Sequence, residues 1–148
     1  MNFSFCGWVL EADSYATRAF YAVEPGEGCD CPGCRNYAAA AKDFSPAVCE
    51  LFAALGIDPL KPIEVCLPYC ESLDGVMHYD AWYHLRGRIL SRPDSDCLVQ
   101  VEPGFEIRFS AECDLLSEDF PSPAVQLNVT AQLPWLLGKH VKQDYLIQ

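Results

Sequence analysis

Apolar and polar residues alternate with a period of two along much of this chain. In Val125-Gln-Leu-Asn-Val-Thr-Ala-Gln-Leu133 every odd position is apolar and every even one polar, as in a strand with one buried and one wet face. Phe105 to Cys113 and Ile63 to Leu67 repeat the pattern. The longest alternation puts Met77, Tyr79, Ala81, Tyr83, Leu85, Gly87 and Ile89 on one face. His78, Asp80, Trp82, His84, Arg86 and Arg88 fall on the other. Thr17 to Glu24 and Cys97 to Val101 read as two further strands, and turn residues separate several of these stretches at Leu73-Asp-Gly75, Arg92-Pro-Asp94 and Glu102-Pro-Gly104. Strands with one wet face belong to antiparallel sheets rather than to a parallel, Rossmann-like arrangement.

The period changes to 3.6 in two places. Over Pro46 to Leu55 the residues Val48, Leu51, Phe52 and Leu55 make one apolar stripe. Ser45 stands at the N-cap, Pro46 in the first turn and Gly56 at the stop. Arg35 to Lys42 carries four consecutive alanines, strong helix formers, with Tyr37, Ala41 and Phe44 spaced to meet a core. The expected fold is therefore α+β: a mainly antiparallel β-sheet, as a sandwich or curved sheet, with two short helices in the N-terminal half. Internal repeats, low-complexity tracts and long Gly/Ser linkers are missing, so residues 1–148 are expected to form a single domain.

Composition narrows the partners. Hydrophobic residues make up 51% of the chain, enough for a rigid core and too many for intrinsic disorder. The 21 acidic residues against 10 Lys and Arg give a net charge of −11, which repels nucleic acid and anionic membrane surfaces. The run Phe3 to Leu10 lacks the charged start and apolar length of a secretory signal, and nothing approaches the ~20 apolar residues of a membrane span. A cytoplasmic location follows as an expectation, with the nine cysteines reduced.

Those cysteines hold the most specific chemistry. Cys29-Asp-Cys-Pro-Gly-Cys34 places three thiols just before an expected helix. Tight turns of this kind aim thiolates at one tetrahedral zinc ion, and Cys31-Pro-Gly-Cys34 has knuckle spacing. Cys29, Cys31 and Cys34 are therefore the candidate metal ligands, with Cys66, Cys70, Cys49 or His84 as the fourth. Two other readings stand beside this one. Free cysteines also pack as small apolar residues, and a Cys-x-x-Cys pair at a helix start can do redox chemistry through a thiol acidified by the helix N-terminus.

A second constellation, His78, Asp80, His84, Arg86 and Arg88, forms a polar row able to bind an anion or move protons, or simply a solvated outer face. Trp8, Trp82 and Trp135, with Tyr15, Tyr69 and Tyr145, can line a groove or fill the core. The C-terminal segment from Leu136 to Ile147 mixes apolar and basic residues and is expected to dock on the domain or on a second copy, which allows a homodimer. No nucleophile elbow, phosphate-binding glycine loop or His-Glu-x-x-His helix is present.

Cys29-Asp-Cys-Pro-Gly-Cys-Arg-Asn-Tyr37, Leu55-Gly-Ile-Asp-Pro59, Asp80-Ala-Trp-Tyr-His-Leu-Arg-Gly87 and Leu133-Pro-Trp135 together resemble an uncharacterised family of small bacterial proteins. The resemblance spans most of the chain and implies a bacterial cytoplasmic setting, but no activity. The leading functional expectation is a non-enzymatic module that binds a protein or small molecule and carries a structural zinc site. The alternative is a metal- or thiol-dependent redox enzyme using Cys31 or Cys34 with help from His84.

Overall fold

The strand with the longest alternation is the spine of the fold. In the computed structural model, which describes residues 1–94 and 98–147, β4 runs from Met77 to Ser91. Before it come β1 (Asn2–Phe5), β2 (Trp8–Ala12), helices α1 (Ser14–Val23), α2 (Pro32–Ala41) and α3 (Pro46–Leu55), and the two-residue β3 (Glu64–Val65). After it come β5 (Val99–Glu102), β6 (Phe105–Ser110), β7 (Ala124–Leu133), α4 (Lys139–Lys142) and a 3₁₀ turn over Gln143–Tyr145. The strands form one antiparallel sheet in the order β1-β2-β4-β7-β6-β5, with β3 also on β4. The α+β expectation holds.

The β4–β7 ladder runs from Met77↔Leu133 to Arg86↔Ala124. This register puts the odd residues of both strands on one face. There Tyr79, Ala81, Tyr83 and Leu85 are buried with Val125, Leu127, Val129 and Ala131. Helices α2 and α3 cover that face: the Tyr37 ring meets Tyr79 edge-on at 5.3 Å, and Phe52 meets Tyr83 at 4.9 Å. Helix α3 has the expected limits. Ser45 Oγ accepts from the Val48 N–H, and Gly56 ends the helix in a left-handed conformation.

Several elements differ from the sequence pattern. Thr17 to Val23 is helix, with Glu24 as its C-cap, rather than the expected strand from Thr17 to Glu24. The Asp13 carboxylate caps it by accepting the Ala16 N–H at 2.9 Å, and the residues it buries, Thr17 and Tyr21, lie one helical turn apart. Val23, which strand alternation would bury, is 83% exposed. This helix lies along the edge of β4 between β3 and β2. Tyr21 Oη accepts the His84 N–H at 3.0 Å and donates to the His84 carbonyl at 2.9 Å, so a side chain satisfies backbone groups that no strand reaches.

Helix α2 starts at Pro32 rather than Arg35 because Cys31 is its N-cap. The strand expected over Ile63 to Leu67 shrinks to Glu64–Val65, and the one expected from Phe105 to Cys113 ends at Ser110. The strand expected from Cys97 is β5, starting at Val99; Cys97 lies outside the described residues. The C-terminal segment docks on its own domain. Cys70 donates its N–H to the Tyr145 carbonyl at 2.9 Å, Ile147 returns one to Cys70, and the Lys142 ammonium donates to the carbonyls of Leu73 and Gly75. No helix among the described residues is long and apolar enough to cross a membrane.

Candidate metal centre

Cys31 leaves the preceding loop in an extended conformation, and Pro32 then fits the first helical position, where a backbone N–H would be orphaned anyway. The Cys31 sulfur accepts the Cys34 N–H at 3.4 Å, so the cap is a thiol rather than the usual hydroxyl or carboxylate. Gly33 allows the close approach that seats this turn. A Cβ there would lie 3.0 Å from the ring of Pro68 and 3.3 Å from the Tyr145 hydroxyl. Instead the Gly33 N–H donates to Tyr145 Oη at 2.9 Å, and its carbonyl accepts from Tyr79 Oη at 2.7 Å. One turn on, buried Asn36 donates to the Pro134 carbonyl and accepts the Leu136 N–H at 2.7 Å.

This anchored turn brings the three sulfurs together. The Sγ atoms of Cys29, Cys31 and Cys34 all lie within 4.8 Å of one another. A tetrahedral zinc ion with Zn–S bonds of about 2.3 Å holds its sulfurs about 3.8 Å apart, so small side-chain adjustments suffice. Cys29 and Cys31 reach solvent and Cys34 is half-buried.

The thiols are electrostatically unequal. Burial disfavours the charged form of Cys31, but the Cys34 N–H and the neighbouring Cys29 and Cys34 thiols outweigh it, so Cys31 titrates below an ordinary thiol. Cys34 is pushed far above, first by burial and then by its contacts with Cys29, Glu27 and Cys31. The pair has the asymmetry of a reactive dithiol as well as the convergence of a metal nest.

The fourth ligands expected from sequence stand elsewhere. Cys49 lies exposed on α3 and points its thiol at the Phe44 carbonyl. Cys66 lies at the surface, and partial burial of its thiol, followed by the charges of Asp80 and Glu64, raises its pKa. Cys70 is buried in the core. His84 belongs to the expected wet face yet is fully buried. The loop between β6 and β7 covers it, with the Phe120 ring 5.9 Å away, and its Nε2 bonds Gln126 Oε1 at 3.0 Å.

The other members of the polar row are each committed separately. The His78 ring stacks on Tyr69 at 4.7 Å, and Asp80 accepts from the Thr130 hydroxyl at 2.8 Å. Arg86 pairs with Asp13 at 2.8 Å and Arg88 with Glu11 at 3.5 Å, along an open cleft of ≈ 450 Å³. Of the aromatic set, Trp8 is core, and Trp135 packs at 5.5 Å on Tyr145 beside the cysteine turn.

One group that sequence reading missed stands near the thiols. Burial raises the Glu27 carboxyl above its ordinary value, with nearby Cys34 opposing the rise and Glu64 adding to it. Its only sequence signal is its place between Gly26 and Gly28, two residues before Cys29.

No protein-family model matches the chain, nor does any curated protein or solved structure. The chemistry of the site therefore carries the functional argument.

Proposed function

We propose that this protein is a non-enzymatic interaction module whose segment 24–34, the loop before α2 and its first turn, is fixed by a zinc ion on Cys29, Cys31 and Cys34. The observation that carries this reading is the convergence of three sulfurs within 4.8 Å at a turn locked from two sides. A bound ion would hold that turn against the segment 66–70. There Leu67 (82% exposed) and Tyr69 (41%) flank buried Pro68, against which Gly33 packs. An apolar strip beside a rigid loop suits a protein or small-molecule partner, a second copy of the chain included. The net charge of −11 argues against nucleic acid and anionic membranes. Free thiols fit a reducing cytoplasm, bacterial if the motif resemblance reflects kinship.

A second reading rests on the thiol asymmetry: Cys31 as the attacking thiolate and Cys34 as its resolving partner in a disulfide exchange. Elemental analysis of protein purified without added metal, combined with thiol titration, separates the two. About one zinc per chain with three protected thiols is the expected result. Metal-free protein with uniformly reactive thiols would remove the metal reading, and selective alkylation of Cys31 at low pH would favour the redox one.

A further inference from the structure

The three sulfurs converge without a fourth partner. Among the described residues the convergent ligand atoms are those of Cys29, Cys31 and Cys34, all within 4.8 Å of one another, while Cys49, Cys66, Cys70 and His84 stand elsewhere. A zinc ion on this triad keeps one tetrahedral corner for water or an outside group, as zinc does wherever the protein supplies three ligands. It also leaves charge behind, because three thiolates around a divalent ion stay net negative. Segment 24–34 offers no compensation: it contains Glu24, Glu27 and Asp30 but no lysine or arginine, and the nearest cation in sequence is Arg35. The chain as a whole carries −11. A soft ion that is trivalent and three-coordinate removes both mismatches, since it needs no fourth donor and its thiolate complex is neutral. Cys29 and Cys31 reach solvent, so such an ion can enter without opening the fold.

We propose that the triad is a site for soft, trivalent, three-coordinate ions, with arsenite, As(OH)₃, as the type ligand. This inference rests on the reading of the triad as a metal centre and specifies the class of ion its geometry suits. The binding step needs no oxidant or reductant. The three thiols give their protons to the three hydroxyls, three As–S bonds replace three As–O bonds, and three waters leave. Arsenic remains As(III), and its lone pair takes the fourth corner. Thiolate sulfur is the donor that soft ions select. The bonds from Gly33 to Tyr145 and Tyr79 hold the turn beforehand, so little ordering remains to be done on binding.

The test adds one equivalent of arsenite to the full-length, reduced, metal-free chain. Native mass spectrometry should show one arsenic bound with loss of three protons, and three of the nine thiols should cease to titrate. Arsenic X-ray absorption should show three sulfurs and no oxygen. A shell of two sulfurs and one oxygen, which any close dithiol gives, would overturn the assignment. Cys29→Ser, at an exposed position outside α2, should lower arsenite affinity at least ~10-fold. Affinity equal to the parent's would put the arsenic on other cysteines and overturn it as well. Arsenite should also displace zinc from the loaded chain. A chain that binds zinc yet neither takes up arsenite nor yields its zinc to it would sink this inference and spare the metal reading, whereas failure to bind either ion would sink both. The mass and absorption measurements use the native chain, so the question is decided even if Cys29→Ser does not fold.

Discussion

Gly33 donates its backbone N–H to the Tyr145 hydroxyl at 2.9 Å, joining the start of α2 to the last turn of the chain across 112 residues of sequence. The cysteine turn and the C-terminal segment thus share a direct hydrogen bond. Tyr145→Phe removes this bond while keeping the ring packed on Trp135. A loss of about 1 kcal/mol is expected, read as a lower urea midpoint at unchanged slope. Trp135 fluorescence should respond to added zinc in the wild-type chain and respond less in Tyr145→Phe.

Serine replacement sorts the thiols by position. Cys29→Ser, Cys31→Ser and Cys34→Ser should each lower zinc affinity by at least ~10-fold. Cys49→Ser and Cys66→Ser, whose sulfurs lie outside the cluster, should bind as the parent does. Equal losses in both groups, measured by competition with a chromogenic chelator, would show that the convergent thiols are not the ligands.

His84 makes the fold acid-sensitive. Gln126 donates through Nε2 to Asp114 and Asn128, which fixes its Oε1 as acceptor, so His84 must be the donor at Nε2, with Nδ1 unprotonated and without a partner. Burial lowers its pKa, opposed by Gln126 and Asp114. The unfolded chain then binds the extra proton first, and stability should fall as pH drops below about 6.5, the unfolded value. Urea unfolding from pH 7.5 to 5 should show this slope, and His84→Gln, which cannot titrate, should flatten it.

Two buried tyrosines should respond unequally to loss of a hydroxyl. Tyr83 Oη donates to the Pro59 carbonyl at 2.8 Å, so in its 2.7 Å contact with Tyr37 it accepts. Tyr83→Phe strands the Tyr37 O–H and the Pro59 carbonyl, costing about 1–3 kcal/mol, whereas Tyr37→Phe leaves only an unused lone pair and should cost less. Calorimetric Tm values for the two variants check the order.

What the sequence disclosed depended on range. Helix α3 was legible because Ser45, Pro46, its apolar stripe and Gly56 act within one element. Strands β4, β6 and β7 were legible because one buried face imposes strict alternation. Helix α1 was misread because Thr17, Phe20, Tyr21 and Val23 are residue types favoured in strands, while its true partner, the edge of β4, lies more than sixty residues away. The cysteine triad was visible by spacing. Glu27 was not, since only the paired glycines that bend its loop mark it. The burial of His84 was equally hidden, because the covering Phe120 arrives from a loop with no periodic signature.

The pairing of β4 with β7 has a consequence for how the protein is born. Even its innermost rung, Arg86 with Ala124, encloses all of β5 and β6. On the ribosome, β4 must wait for β7 to be synthesised, with one edge of its backbone unpaired and its aromatic face able to gather only the earlier helices. Such late closure favours slow maturation and makes the nascent chain a client for holding chaperones until its last third emerges.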